Sequence, residues 1–374
     1  MRVLIATVTA GAGHLQAATA LESAWRSLHP DTQLQKVDLL DFVSRIQRKI
    51  CIDGYVQLVE HAPELWSLVF KKTDNLERLQ QWSGFRRQFA QHTNRRFVEH
   101  LQAFQPDVVI CPHFMPLEIL GGLRSTTPGP HPFTVCVVTD FEAHAFWIEP
   151  VVDLYCVAAP ETKASLEARG VSSERVVATG IPVGPKFATP SDPETVRLRY
   201  GLREDLPVVL LLGGGFGMGP VTEILEVIDP MAKPLQILVV AGRNEALRRE
   251  VANTPHHQSV TTLGFVTNMN ELMSVSELII TKPGGLTASE ALALGKPLFI
   301  YNPIPGQEAA NSDFLLEHGA ATKVNRLEDI PHRLGQLLGS EKLKEMARAA
   351  KALGRPQAAR DICREIKRRW DAEA

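Results

Sequence analysis

Two stretches of the 374-residue chain bring a histidine or a carboxylate to the end of an apolar run. Thr9-Ala10-Gly11-Ala12-Gly13-His14 follows Val3 to Val8 and precedes a pattern that sets Ala18, Leu21, Trp25 and Leu28 on one helical face. Glycines there let backbone approach a ligand at a helix N-terminus, where free N–H groups and the dipole favour anions. With Gln16 where a third glycine would stand, this is not the dinucleotide fingerprint. His14 reads either as a residue that opens the helix or as a base that is mostly neutral near pH 7, since the ordinary imidazole pKa is about 6.5. A second cluster, Thr139-Asp140-Phe141-Glu142-Ala143-His144-Ala145-Phe146-Trp147, follows another apolar run. Strand ends of a parallel sheet face one cleft, so Asp140 and His144 could converge with His14 on a hydroxyl to be deprotonated. The plainer reading is an Asp N-cap beside a half-buried Trp147.

Anion-binding chemistry is concentrated further on. Gly213-Gly214-Gly215-Phe216-Gly217 has four glycines in five positions, more than a plain strand-to-helix turn needs, and offers backbone donors to a phosphate. In Thr281-Lys282-Pro283-Gly284-Gly285-Leu286-Thr287-Ala288-Ser289-Glu290 a strand ends and a helix begins with its N–H groups free for a diphosphate. Glu290, three residues after Thr287, is either the acid of a capping box or an acceptor for two ribose hydroxyls. Gln307, Glu308 and Asn311, in Pro305-Gly306-Gln307-Glu308-Ala309-Ala310-Asn311, suit the hydroxyls of a sugar.

One segment differs from the rest. Lys71 to Arg96 holds seven basic residues against two acids, interleaved and flanked by Trp66, Phe70, Trp82, Phe85, Phe89 and Phe97. Lys71, Lys72, Arg86 and Arg87 among these aromatics suit an anionic membrane surface, or the solvated face of a core helix. Over the whole chain charge is nearly balanced at a net −2, which excludes a global nucleic-acid field. No apolar run approaches the roughly 20 residues of a membrane-spanning helix. Met1-Arg2 leads into an apolar run too short for a signal peptide, so a cytoplasmic protein is expected. Five scattered cysteines with no CxxC pair read as reduced core residues, and no metal-ligand spacing is evident.

The elements that must position these groups form an alternation of short apolar runs with helical patterns, which predicts parallel α/β sheets. Val3 to Val8, Val108 to Cys111, Thr134 to Thr139 and Leu154 to Ala158 supply one sheet. Val208 to Leu212, Ile237 to Ala241, Leu278 to Thr281 and Leu298 to Tyr301 supply another. The Pro- and Gly-dense stretch at 180–193 separates them. The expected domains are 1–184 and 185–352, with a helix at 353–374 packing back across both.

At these motifs the chain resembles the monogalactosyldiacylglycerol synthase and processive diacylglycerol glucosyltransferase family, a branch near the MurG-type enzymes. The likeness runs nearly end to end, through Gly11 to Leu21, Thr139 to Trp147, Glu161 to Phe187, the glycine loop, Thr281 to Pro297 and Pro305 to Asn311. It implies a GT-B fold, two Rossmann-like domains with a cleft, and inverting transfer of glucose or galactose from a UDP-sugar to a diacylglycerol-type lipid. No metal or other cofactor is implied, and no nucleic-acid partner. By matching position, Phe265 and Val266 would flank the uracil with Arg243 and Asn244 nearby, and Glu290 would hold the ribose. Gly13, Gly214, Gly215, Phe216, Lys282, Pro283, Gly284, Gly285, Leu286 and Thr287 would surround the diphosphate and its approach, and Gln307, Glu308 and Asn311 the sugar. His14 or Asp140 would be the base. His144, Trp147 and the segment from Trp66 to Arg87 would meet the acceptor or an anionic membrane, placing the enzyme peripherally on the cytoplasmic face of the inner membrane. Competing readings are a UDP-sugar transferase with an isoprenoid-linked or soluble acceptor, an epimerase, and a nucleotide-sugar binder without turnover.

Overall fold

The computed structural model describes residues 1–9, 12–44, 48, 54, 62–189, 191–213 and 219–373. The continuously apolar runs become the interior strands of two sheets, because a strand covered by helices on both faces has no polar side to alternate. The first sheet comprises β1 (Arg2–Thr7), β2 (Gln33–Asp38), β3 (Val108–Cys111), β4 (Phe133–Val137), β5 (Leu154–Val157) and β6 (Val176–Ala178), in the order β2-β1-β3-β4-β5-β6. The second comprises β7 (Val208–Leu212), β8 (Gln236–Val240), β9 (Ser259–Leu263), β10 (Leu278–Thr281), β11 (Leu298–Tyr301) and β12 (Ala321–Val324), in the order β12-β11-β10-β7-β8-β9. Every neighbouring pair is parallel. Winding reverses once in each sheet, between β1 and β3 and between β7 and β10, and open α/β sheets bind ligands at the carboxyl ends of such reversals.

The helices that position the site are α1 (Ala12–Leu28), α2 (Pro63–Thr73), α3 (Leu76–Gln81), α4 (Ser83–Thr93), α5 (Met115–Thr126), α6 (Glu245–Asn253), α7 (Gly285–Ala293), α8 (Gln307–Glu317) and α9 (Ala358–Glu373). The chain divides into two compact units. The first is Met1–Pro185 with Ile304–Ala310 and Gln357–Ala374; the second is Lys186–Pro303 with Asn311–Pro356. Ile304–Ala310, inside the expected second domain, groups with the first because α2 reaches it. Gly306 has a φ of +98°, and ring atoms of Phe70 lie 2.9–3.1 Å from where a Cβ at 306 would stand, so only glycine fits there.

In the first unit, Val3 and Ile5 point to one side of β1 and Leu4 and Ala6 to the other, each into its own apolar cluster. On the first side lie Ala18, Leu21 and Trp25 of α1 and, from the chain's other end, Ala359, Ile362, Cys363 and Ile366 of α9. The Cys363 thiol lies 3.7 Å from the Leu21 carbonyl. The C-terminal helix is therefore part of the first unit's core. Cys111, Cys136, Cys156 and Cys363 are buried free thiols, and Cys51 lies outside the described residues.

Ile366 is fully buried in that cluster. Ile366→Ala is expected to lower stability by about 2–5 kcal/mol, read as a shifted denaturant midpoint. An unchanged midpoint would mean that α9 adds nothing to the core.

Candidate active site

The reversal between β1 and β3 sets the first turn of α1 beside the segment that follows β3. His14 Nδ1 lies 2.9 Å from the carbonyl of Pro112, 98 residues away in sequence. A carbonyl only accepts, so Nδ1 carries the proton and Nε2 of the neutral ring is left as the acceptor. The hydroxyl oxygen of Thr139 is 3.0 Å from the same Nδ1, and the Thr7 hydroxyl donates to the His14 carbonyl at 3.2 Å. Two strand ends thereby hold one half-buried imidazole, and a third holds its backbone. Burial lowers its pKa below the usual 6.5, opposed by the negative charge of Asp140 and by the Pro112 bond. Asp140 is half-buried after β4 and favours the protonated ring.

His113 was not singled out in the sequence, and it lies against His14 with ring centroids 4.6 Å apart at 75°. Its signal is positional, since it follows β3, the strand across the reversal from β1. Trp147 is buried, 6.4 Å from both imidazoles, and so supports them from beneath rather than facing a membrane. His144 is also buried. Its Nε2 donates to the Phe70 carbonyl at 3.0 Å, and its Nδ1 accepts from the Phe146 N–H at 3.1 Å, so both nitrogens serve the fold. Of the two expected contacts of Trp147 and His144, with the acceptor or with a membrane, their burial corrects the second to a supporting role.

The basic and aromatic segment splits into two sets. Leu65, Leu68 and Val69 on α2 are exposed, as are Trp82 at 65% and Phe89 on α4, with Lys71 and Lys72 exposed at the end of α2. Trp66 and Phe70 are half-buried; the Phe70 ring lies 4.4 Å from that of His144. Arg86 pairs with Glu118 and stands 3.7 Å from Glu149, while Arg87 pairs with Glu149 at 2.7 Å. Both guanidiniums are therefore committed to internal carboxylates, which removes them from the expected lipid-facing set. The Phe85 side chain lies outside the described residues. At the end of α2, Asp74 takes both guanidinium nitrogens of Arg169, at 2.7 and 3.2 Å, and the N–H of Ala145 at 2.8 Å.

In the second unit, β10 ends at Thr281, Lys282-Pro283 follows, and α7 starts after Gly284, whose extended backbone (φ −60°, ψ 140°) caps the helix without any side-chain bond. Its first N–H groups have no side-chain cap, the arrangement an anion exploits. The register excludes a capping box, because Thr287 and Glu290 lie inside the helix. Burial pushes the Glu290 carboxyl up to about 8. Lys282, Gly284 and Thr287 are half-buried, whereas Pro283, Gly285 and Leu286 are buried. Asn311, wholly buried, donates to the Pro283 carbonyl at 3.1 Å and so braces this turn.

Gly213 and Gly219 are joined by a 3.0 Å backbone bond; Gly214, Gly215 and Phe216 between them lie outside the described residues. After β9, Phe265 is 57% exposed with the Arg243 guanidinium 5.4 Å from its ring centre, a flat face open to stacking. Val266 beside it is half-buried. The Asn244 side-chain oxygen Oδ1 accepts from the Leu247 N–H at 3.0 Å and so caps α6. In the first unit, the Glu308 carboxylate accepts from the Ile304 N–H at 2.7 Å and closes the turn that carries Gln307. Gly13 sits in the first turn of α1, one residue before His14. Among the described residues no group of three or more His, Cys, Asp or Glu is placed to hold a metal ion.

Comparison with known proteins adds the lineage. The family model for monogalactosyldiacylglycerol (MGDG) synthase matches residues 14–183, and that for the glycosyltransferase family 28 C-terminal domain matches residues 208–365. Processive diacylglycerol beta-glucosyltransferase of Bacillus pumilus (strain SAFR-032) is 30% identical over 98% of this chain and 94% of its own length. The protein of that name from Bacillus thuringiensis (strain Al Hakam) is 32% identical over 96% and 92%. Among solved structures, MurG of Acinetobacter baumannii superposes with a TM-score of 0.64 at 17% identity, over 98% of this chain and 99% of its own, a likeness of fold. With its two doubly wound units, the chain belongs to the monogalactosyldiacylglycerol synthase and processive diacylglycerol glucosyltransferase family of GT-B glycosyltransferases.

Proposed function

We propose that the chain transfers a hexose from a UDP-sugar to a hydroxyl of diacylglycerol with inversion. The observation that carries this reading is His14, held in the Nδ1–H tautomer at the carboxyl end of β1 with Nε2 left to accept a proton. The acceptor oxygen forms a bond to the anomeric carbon, its proton passes to His14 Nε2, and the bond to the diphosphate breaks with its electron pair leaving on UDP. An α-linked donor gives a β-linked product. Asp140 then stabilises the imidazolium, so His14 rather than Asp140 is the base in this reading. The leaving diphosphate is met by the N-terminus of α7, the Lys282 turn and Arg243, with no metal required. Phe265 stacks on the uracil, and Glu290 accepts from the ribose hydroxyls. The names of the Bacillus relatives favour glucose over galactose.

The acceptor arrives from a membrane. Leu65, Leu68 and Val69 recur at helical spacing on the open side of α2, with Trp82, Phe89, Lys71 and Lys72 nearby, a pattern suited to an anionic interface. No described helix is long and apolar enough to cross a bilayer. The site of action we infer is the cytoplasmic face of the inner membrane.

Labelled UDP-glucose and UDP-galactose, offered separately with diacylglycerol in anionic vesicles containing EDTA, are expected to label the lipid phase from glucose. His14→Ala should reduce this by about 100-fold or more. Because burial lowers the His14 pKa, the acid limb of kcat/KM should lie below pH 6.5, activity being lost as pH falls and the base gains its proton. Absence of label with UDP still bound would move the acceptor away from diacylglycerol.

Hydroxyl donors favour an ionised Glu290, which is protonated below about pH 8 when the site is empty. UDP binding at pH 7 should therefore release up to about one proton, read by calorimetry in buffers of different ionisation enthalpy, and Glu290→Gln should abolish that release. Equal release from both proteins would place the ribose elsewhere.

Leu68→Ser combined with Trp82→Ser should shift the protein from pellet to supernatant in co-sedimentation with anionic vesicles. Unaltered pelleting would assign membrane contact to another surface.

A further inference from the structure

The function proposed above uses His14 and leaves the second buried imidazole unexplained. His113 is 4% exposed and stands in Pro112-His113-Phe114, the segment whose Pro112 carbonyl fixes the His14 tautomer. Its own Nδ1 accepts the Met115 N–H at 3.1 Å in the first turn of α5. That bond puts the neutral ring's proton on Nε2, and a second proton would have to displace the Met115 N–H. Geometry and burial thus agree on a ring that stays uncharged. The Phe114 ring stacks on it at 4.5 Å and 27°, and Trp147 closes another side at 6.4 Å, so the ring has little room to turn. His14 meets this fixed ring nearly perpendicularly at 4.6 Å.

We propose that His113 is a positioning residue for the proposed base: clamped by Met115, Phe114 and Trp147, its neutral ring fixes the tilt of the His14 imidazole while the neighbouring Pro112 carbonyl fixes the tautomer. The inference depends on the reading of His14 as the base for its effect on rate, but not for its effect on the His14 ring. A charged neighbour in this place would oppose the imidazolium that forms when His14 takes the acceptor's proton; a neutral aromatic ring keeps water away without that opposition. The titratable groups facing His14 are His113 after β3 and Asp140 after β4. Burial drives His113 well below the usual histidine range, and a charge on His14 lowers it further, so the two rings are not protonated together near neutral pH.

The test separates ring from cap. In His113→Asn the side-chain oxygen stands near the place of Nδ1 and still accepts from Met115 N–H, but the ring is gone. His113→Phe keeps a ring and loses that acceptor. Nitrogen NMR of ring-labelled histidine in the full chain reads the tautomer and titration of His14 directly. Wild type is expected in the Nδ1–H form with a low pKa. His113→Asn, with its melting temperature little changed, is expected to mix the two tautomers, to titrate closer to the ordinary value of about 6.5 as water reaches the ring, and to move the acid limb of kcat/KM upward. Its kcat should fall about tenfold with KM for the UDP-sugar unchanged, and His113→Phe should recover most of the loss. If His14 in folded His113→Asn titrates and divides between tautomers as in wild type, the proposal is overturned. If His14→Ala retains full transfer, the base assignment fails, and the NMR comparison still decides whether His113 holds the ring.

Discussion

The constraint on which the rest depends is the reversal of winding between two adjacent parallel strands. In a parallel sheet β1 and β3 lie about 4.8 Å apart, and their register pairs Val3 with Val108 and Ile5 with Ile110. Their carboxyl ends are therefore level, and the chain leaves them in opposite directions around the sheet. Whatever follows β1 must meet whatever follows β3, which brings His14 to the Pro112 carbonyl across 98 residues. The same reversal between β7 and β10, paired Val209 with Leu278 and Leu211 with Ile280, puts the bonded pair Gly213 and Gly219 and the Lys282-Pro283-Gly284 turn at the carboxyl ends of the two middle strands of the second sheet. The long-range side-chain bonds of the two sites, His14 to Pro112 and Asn311 to Pro283, act on turns that the strand order has already placed. Apolar burial on both faces fixes the strands, and the strands fix the turns.

Burial then decides charge in opposite senses for the two groups at these turns. It lowers the His14 pKa and raises that of Glu290 to about 8, so both are disposed toward neutrality before any ligand arrives. In the proposed reaction each must become charged, and each has a compensating group: Asp140 for the imidazolium, ribose hydroxyls for the carboxylate. Glu149 shows the contrasting solution, a permanent one. Burial raises its pKa, but Arg87 beside it and Arg86 nearby oppose that rise, and the guanidiniums that looked available to lipid are consumed in doing so.

Legibility in the sequence follows exposure. All eight strands expected from apolar runs are interior strands of the two sheets, and the four not anticipated, β2, β6, β9 and β12, are their four edges. An edge strand is half-covered, so Gln33-Leu34-Gln35-Lys36-Val37-Asp38 carries polar residues that hide it from a search for apolar runs. The site follows a similar rule. His14 was legible because glycines frame it, and the Pro283-Gly284-Gly285 turn because proline and glycine punctuate it. His113 follows an apolar run with no glycine or acid beside it, and resembles a core histidine until topology places it across from His14. The Thr287–Glu290 spacing suggested a capping box only because the first helical residue was not known; a start at Gly285 carries both residues past the cap.

The C-terminal end of α2, the helix with the open apolar face, is bonded to the turn that carries Asp140. The Phe70 carbonyl accepts from His144, and Asp74 accepts from the Ala145 N–H and from Arg169, which in turn donates to the Ala143 carbonyl at 3.1 Å. These are charge-assisted or half-buried bonds, and leaving such a partner unmet costs about 1–3 kcal/mol each. Lifting α2 would break several at once and strip the cap from His144, whose Nδ1 holds the start of the short helix Ala145–Trp147. Trp147 on that helix lies beside both His14 and His113. Helix α2, with Leu65, Leu68 and Val69 exposed, is thus mechanically continuous with the support of the base. The C-terminal end of α2 is spent on the turn beneath, while Leu65, Leu68 and Val69 stay exposed on its open side.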